Sequence, residues 1–274
     1  MIAPARAVAV AGLAAALASC AAPRVQVPGG AGTPASDGAA VAEAATGGCR
    51  TLRSLTAEIR VSGTVLGRRI RGRLSAGFAA PASARIEAVA PFGPPIFILV
   101  ATDASASLLL PRDNRVVRGA PADLLLDALV GMRLTPAELW QAVTACPAIG
   151  TIGEARQYGS DWRRVTVPPH ETLYFHRDEG AWHLVADMHQ EPETARQVEY
   201  LQYDGALPVR IHLSAGGANR AAAYEIALDL SQLEPNAALD PAVFTLEVSA
   251  GAQPMTLDEL RRSGPLAVPG GAHD

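Results

Sequence analysis

Alternation of apolar and polar side chains over consecutive segments is the feature that most restricts the fold of this chain. From Thr56 onward, one side of the first segment is apolar and consists of Ile59, Val61, Gly63 and Val65. After a turn at Gly67 the pattern repeats with Ile70, Gly72, Leu74, Ala76 and Phe78. A period of two is typical of strands with one buried and one solvated face. The sequence therefore predicts an antiparallel sheet that is exposed to water on one side.

About a dozen segments with strand character surround two helical ones. The first helical segment runs from Pro121 to Val130, and the second begins at a capping box formed by Thr135 and Glu138. No internal repeat or second linker divides the folded part, so one domain is the simplest interpretation. A sheet of this many strands must curl or close. Its apolar face then surrounds either an open cavity or a filled core, and composition does not decide between them.

The first twenty residues have the pattern of an export signal. Arg6 precedes an apolar run, Ala7 to Leu17, that is too short to span a bilayer. The run ends in Leu17-Ala18-Ser19-Cys20, which resembles the bacterial lipobox, and this resemblance implies cleavage before Cys20 and acylation of its thiol and amine. Ala21 rather than Asp follows the cysteine, which under the usual bacterial sorting rule permits transfer to the outer membrane. The alternative is an ordinary signal peptide that happens to contain a cysteine.

These patterns define four predicted regions. Residues 1–19 are the signal peptide, and residues 20–48, rich in Ala, Gly, Pro, Ser and Thr, form a lipid-anchored flexible tether. Residues 49–263 form the folded domain, and residues 264–274 a disordered tail. Cys49 and Cys146 lie in a chain that we expect to be exported, where disulfides form. We expect them to be bridged, with two unpaired buried thiols as the alternative.

Several kinds of chemistry are excluded by composition or spacing. The chain contains no Lys and has a formal net charge of −4, which removes lysine-dependent catalysis and argues against nucleic-acid binding. No nucleophile elbow or dinucleotide fingerprint is present. Matching pairs of histidines lie six residues apart along strands, about 20 Å, too far to share an ion; these are His170, His176, His183 and His189. We therefore predict a protein that is not an enzyme and has no catalytic residues, cofactor or metal.

Four motifs follow one another within roughly residues 52–146: Gly72-Arg73-Leu74, Ala90-Pro91-Phe92-Gly93, the apolar run from Ile96 to Val100, and Leu129 to Pro136 with Leu139-Trp140. Their order resembles that of the outer-membrane lipoprotein receptor family LolB. This resemblance implies a mainly β (α+β) fold: an unclosed antiparallel β-barrel of about 11–12 strands, capped by a helical hairpin. The long tether and the cysteine pair depart from the usual pattern of the family.

The resemblance also implies a function. A LolB-like protein is a monomer on the periplasmic face of the outer membrane; it receives acylated lipoproteins from a periplasmic carrier and holds their acyl chains in an apolar cavity. Strand parity and helical spacing predict the residues that line this cavity here: Ile59, Val61, Leu74, Phe78, Ile86, Ile96 and Leu99 on its wall, and Leu125, Leu129 and Trp140 on its lid. Two alternatives stay open: an envelope scaffold with a filled core, and an envelope hydrolase with a polar site.

One loop has unusual chemistry for a turn. Pro91-Phe92-Gly93-Pro94-Pro95 contains three prolines, which stiffen it and remove three backbone donors. Phe92 lies at its centre, where hairpins usually place polar residues. The residues alone favour a Phe92 folded beneath the lid, whereas the resemblance implies that it projects and contacts the membrane.

Overall fold

The computed structural model describes residues 24–190, 195–216 and 224–265. Cys20, the predicted signal peptide and residues 266–274 of the predicted tail lie outside this part of the chain. Within it, fifteen strands form one sheet, and four α-helices accompany the sheet.

The first seven strands precede two helices, and the next seven follow them. The first group comprises β1 (Thr33–Pro34), β2 (Ser54–Val65), β3 (Arg68–Ala79), β4 (Ser83–Val89), β5 (Ile98–Ala101), β6 (Ala106–Leu110) and β7 (Arg115–Ala120). The second comprises β8 (Ala155–Tyr158), β9 (Trp162–Val167), β10 (Glu171–Asp178), β11 (Ala181–Gln190), β12 (Ala195–Asp204), β13 (Leu207–Gly216) and β14 (Tyr224–Pro235). The last strand is β15 (Gln253–Pro254), and the helices are α1 (Gly38–Thr46), α2 (Ala122–Val130), α3 (Pro136–Thr144) and α4 (Leu257–Ser263).

The sheet consists of two antiparallel meanders joined side by side. One meander is β2 to β7, the other is β8 to β14, and β14 pairs with β2 to join them. Helices α2 and α3 connect the two meanders, since they follow β7 and precede β8. The spatial order begins at β1 and ends at β15, so the sheet is not closed. The expected unclosed antiparallel barrel with a helical lid is confirmed. The expected number of about 11–12 strands was too low, because short strands such as the two-residue β1 and β15 have no pattern long enough to identify them.

The long hairpin of β2 and β3 follows the predicted alternation. Its register pairs Ser54 with Ala79 at one end and Val65 with Arg68 at the other. Pairing in this register places Ile59 opposite Leu74 and Val61 opposite Gly72 on the inner face. The polar residues between them then face outward, because successive side chains alternate across a strand.

The two central helices begin as the sequence predicts. Pro121 precedes α2, and at the start of α3 the Thr135 side chain accepts a hydrogen bond from the Glu138 backbone, while the Glu138 carboxylate accepts one from Thr135. Helix α2 packs against β6 and α4, and α3 packs against β4 and β13. Together they cover the inner face of the curled sheet.

Over residues 24–48, the described part of the predicted tether, the structure corrects the expectation of a flexible segment. Thr33–Pro34 pairs with β8, and α1 packs against β9, β10 and β11. Val41 and Ala42 are buried there, and Asp37 forms a two-point ion pair with Arg163 at 2.8 Å. A segment with small side chains remains unburied only when no other surface is available for it to pack against. Here the sheet supplies one, and a helix of Gly and Ala can approach it closely: Gly38 has Ala155 against its backbone.

Candidate functional site

An apolar cavity of about 370 Å³ lies between the inner face of the curled sheet and helices α2 and α3. Strands β2, β3, β4 and β5 form one side of it, and β13 and β14 contribute the rest of the wall. Among the described residues that line it, only Arg71 and Arg73 have polar side chains. The volume falls within the roughly 300–1,000 Å³ typical of sites for small ligands. The cavity can therefore hold an apolar group and offers it almost no hydrogen-bonding partners.

The structure brings together eight of the ten residues predicted to form this site. They are Ile59, Val61, Leu74, Phe78, Ile86, Ile96, Leu99 and Leu129. The cross-strand register explains the cluster, because it places Leu74 opposite Ile59 and Ala88, and Ile86 opposite Ala76 and Leu99. Space remains between these side chains where the sequence has small residues. A Cβ added at Gly72 meets no atom within 4 Å.

Leu125 and Trp140 do not line the cavity, which corrects the predicted lid face. Leu125 is fully buried in the protein core and Trp140 is nearly so. Their neighbours Leu126 and Leu139 face the cavity instead. Adjacent residues on a helix point about 100° apart, so neighbours such as Leu125 and Leu126 face different surroundings. When a helix is apolar on two sides, its sequence does not indicate which side faces the cavity.

Other lining residues were not identified from the sequence. Ile70 has the same parity as Leu74, so the alternation could have identified it. Leu213, Ile226 and Leu228 come from β13 and β14 and reach the cavity only because β14 pairs with β2. That pairing joins segments far apart in sequence, and no local pattern specifies it.

Exposed apolar side chains mark the mouth of the cavity, where Val89 and Ile96 belong to its lining. In the described part of the chain, the large apolar residues that are exposed are Leu66 (61%), Val89 (43%), Phe92 (88%) and Ile96 (37%). Leu66 lies in the turn between β2 and β3, and the other three lie at the end of β4 and in the loop that follows it. An apolar group concentrated at one rim, beside an apolar cavity, is typical of an interaction surface.

The loop that carries Phe92 is held in a fixed position. The Arg112 guanidinium donates hydrogen bonds to the backbone oxygens of Phe92 (2.9 Å) and Pro94 (3.3 Å). Gly93 adopts a φ of +78°, which favours glycine and turns the chain directly after Phe92. Phe92 therefore projects outward, and the arrangement in which it folds beneath the lid is not observed.

Helix α3 is fixed to the rest of the domain at both ends. Near its start, Glu138 forms an ion pair of 2.6 Å with Arg196 of β12. Burial opposes the ionisation of Glu138, but Arg196 and the Thr135 cap outweigh it and lower the pKa of this carboxyl. Just beyond its end, Cys146 and Cys49 form a disulfide with a Cα–Cα distance of 5.6 Å. The lid is thus linked to the β12 side of the sheet and to the segment that precedes β2.

A group of titratable side chains lies on β10 and β11. Glu171 is directly opposite His189, and Asp187 precedes His189 by two residues, so the three share one face. His189 Nδ1 lies 3.3 Å from Asp187 Oδ1. Burial and the neighbouring Asp187 raise the pKa of Glu171 to about 7, and hydrogen bonding to Asp187 raises the pKa of His189.

This group was not identified from the sequence, where histidines were compared only with histidines. Its donor atoms lie within 4.8 Å of one another, close enough to share a proton or one cation. The positive charge of Arg196 also acts on the group, and it partly offsets the rise in the pKa of Glu171 and of His189.

Among the described residues, no helix is both long enough and apolar enough to cross a bilayer. No protein-family model matches the chain, and no curated protein matches it. Solved structures do. A LolA superfamily protein from Nitrosomonas europaea matches with a TM-score of 0.52 and 10% identity, over 76% of this chain and 97% of that one. A DUF1329 family protein from Desulfovibrio piger matches with a TM-score of 0.47 and 8% identity, over 77% and 97% of the two chains.

Only the first of these likenesses is close enough to establish a shared fold, and at such low identity it establishes the fold alone. It agrees with the expected architecture, while membership of the LolB family remains a prediction. The curled, unclosed sheet of this chain, with its helical lid, has the LolA-like fold.

Proposed function

We propose that this protein binds acyl chains in its cavity and transfers lipid-modified cargo to a membrane. The observation that supports this most directly is the cavity itself, whose described lining is apolar apart from two arginines. Each methylene group removed from water contributes about 0.8 kcal/mol. Burial of an acyl chain therefore supplies the binding free energy without any covalent chemistry.

The direction of transfer is proposed from the rim. Phe92 is almost fully exposed and lies beside the mouth of the cavity. A large apolar side chain of this kind contributes roughly 1.5–3 kcal/mol when it enters an apolar phase, which favours membrane contact but does not anchor a domain. Such a contact would bring the mouth to the lipid surface during release.

The cargo, partner and location are proposed from the sequence. The lipobox-like segment that ends at Cys20 supports a lipoprotein anchored to the periplasmic face of the outer membrane. We infer acylated lipoproteins, delivered by a periplasmic carrier, as the cargo. Cys20→Ala should release the protein from the membrane fraction, and mass spectrometry of the wild type should find acyl groups on Cys20. A wild type with an unmodified Cys20 would remove the anchor from the proposal.

The acyl-binding proposal is tested by blocking the mouth. A phenylalanine at position 72 would extend into open space, since a Cβ there meets no atom within 4 Å. Gly72→Phe should therefore keep the melting temperature while it weakens uptake of a fluorescent fatty acid at least tenfold. Gly150→Phe is the matched control, because Gly150 is equally unobstructed and lies in a loop that does not line the cavity.

Extraction of bound lipid completes this test. Protein purified without detergent should release acyl lipids that mass spectrometry identifies. If no lipid is recovered and the wild type takes up no fatty acid, the cavity is only a loosely filled core, and a scaffold role becomes the better explanation.

A further inference from the structure

Four arginines form a row on the outer face of the β2–β3 hairpin. Arg69, Arg71 and Arg73 alternate along β3, and Arg60 of β2 is directly opposite Arg73. All four are exposed. They share strand parity, so they lie on the side of the sheet opposite the inward Ile70 and Leu74. We refer to these four residues as the arginine row.

The arginine row forms no ion pairs with carboxylates of the described residues. In the part of the chain that the structure describes, no carboxylate lies within ion-pair distance of any of the four. Asp229 is opposite Arg60 in the sheet, but it pairs with Arg210 at 2.9 Å. Arg60 and Arg73 are directly opposite each other in the sheet, and like charges in this position repel each other and destabilise the pairing. An anion bound between them would relieve this repulsion.

An open groove of about 940 Å³ connects the arginine row to the cavity. Arg60, Arg71 and Arg73 line this groove, together with Val61, Val89 and Ile96, which also line the cavity. The groove and the cavity therefore adjoin along this part of the wall. A ligand with an acyl chain in the cavity would place a polar end in the groove, beside three guanidinium groups.

We propose that the arginine row binds the phosphate headgroups of anionic membrane lipids. This inference rests on the proposed function, since it assigns a headgroup surface to the same mouth. Guanidinium groups bind phosphate oxygens through two parallel hydrogen bonds, which makes arginine well suited to this ligand. The anionic surface of a membrane attracts such a basic row, and the exposed Leu66 and Phe92 at the same rim enter its apolar layer.

The neighbouring apolar residues favour a lipid surface over an acidic protein. An acidic protein would satisfy the arginines but gives no reason for the exposed apolar side chains around them. A membrane satisfies both, because phosphates lie directly above hydrocarbon. The continuity of the groove with an apolar cavity points the same way.

Vesicle flotation tests the proposal. The full chain carrying Cys20→Ala is used, so that the lipid anchor does not mask weaker membrane contacts. This change also creates the sequence Ala18-Ser19-Ala, which has the small-residue pattern that signal peptidase cleaves. Vesicles of phosphatidylcholine are compared with vesicles that also contain phosphatidylglycerol. We expect stronger binding to the anionic vesicles and a decrease of this preference as salt is raised.

Arg60→Gln combined with Arg73→Gln should reduce the preference for anionic vesicles on the order of twenty- to thirtyfold, about fivefold for each arginine. Arg118→Gln combined with Arg177→Gln removes the same charge from exposed positions outside the groove and should have little effect. If the first pair lowers the melting temperature, Arg69→Gln tests the same row with a single change. The ratio between the two vesicle types is the readout, since partial unfolding would not change it selectively.

Two results would overturn the proposal: a wild type without preference for anionic vesicles, or a preference that the Arg60 and Arg73 changes leave intact. The first would direct attention to an acidic protein partner. Uptake of a fluorescent fatty acid in vesicle-free solution is measured on the same wild-type protein. Uptake without an anionic preference removes only this inference, whereas absence of uptake removes the proposed function.

Discussion

A charge placed on the cavity wall should weaken ligand binding more than it weakens folding. Leu74 is the appropriate position, because it lines the cavity and is only partly buried. In Leu74→Glu the carboxylate can be hydrated through the mouth while the cavity holds no ligand. Leu125→Glu is the matched control, because Leu125 is fully buried and does not line the cavity.

The two changes should differ clearly in magnitude. At Leu74 the folded state loses about half of the roughly 1.5–3 kcal/mol that full burial of a leucine provides, hence about 1 kcal/mol. At Leu125 it loses the whole side chain and buries a charge without a partner, at a cost of about 4 kcal/mol or more. A change of 1 kcal/mol shifts the melting temperature of a domain of this size by about 2–4 °C, so Leu74→Glu should remain folded.

Leu74→Glu should weaken ligand binding more than it weakens folding. An acyl chain that occupies the cavity removes water from the new carboxylate, which costs at least about 2 kcal/mol, or roughly a thirtyfold loss of affinity. Melting temperature and titration with a fluorescent fatty acid measure the two effects on one sample. If Leu74→Glu unfolds the domain as completely as Leu125→Glu does, the position is packed core and the idea of an open cavity is refuted.

Three further predictions concern the rim, the lid and the titratable group. Phe92→Glu should leave the melting temperature and ligand uptake nearly unchanged but slow delivery of the ligand into liposomes; lower stability with unchanged delivery would show that Phe92 supports the fold. Peptide mapping without reductant should recover Cys49 and Cys146 as a linked pair, and two free thiols in periplasmic material would contradict this. Cys146→Ser should destabilise the domain by up to about 4–5 kcal/mol, because the bridge closes a loop of 97 residues. Because the pKa of Glu171 is raised to about 7, the folded state retains a proton that the unfolded chain has already lost, so stability should fall as pH rises from about 4.5 to about 7. Glu171→Gln should reduce this loss, on the order of 1 kcal/mol after solvent screening, and thermal melts at about pH 5 and about pH 8 would measure it; equal slopes in both proteins would show that Glu171 titrates normally.

The strands and the lid could be predicted because their signals are local. Alternation along β2 and β3 identifies the inner face whatever the strands pair with, so Ile59 and Leu74 were placed correctly. The capping box at Thr135 depends on residues three positions apart and likewise needs no tertiary information. Features of this kind specify where elements begin and which strand face is dry.

The remaining features depend on contacts between distant segments. The pairing of β14 with β2 brings Leu228 into the cavity, and the pairing of β10 with β11 assembles the titratable group around Asp187. Residues 38–46 are rich in alanine, which favours a helix, but their small apolar surface does not indicate that they pack, and they gain burial only against strands formed later in the chain. Leu125 was misplaced because α2 is apolar on more than one side, and only its packing partners decide which side meets the cavity.

An unclosed sheet carries a hazard that a closed barrel avoids. Its two outermost strands present backbone groups that could pair with another copy of the chain, the first step of edge-to-edge polymerisation. Here the outermost strands, β1 and β15, are only two residues long, and each ends in a proline, Pro34 and Pro254. Proline offers no N–H group to an incoming strand. The sheet can therefore stay unclosed while both of its borders resist self-association, which would matter for the proposed anchored protein, because anchoring concentrates copies of the chain on one membrane surface.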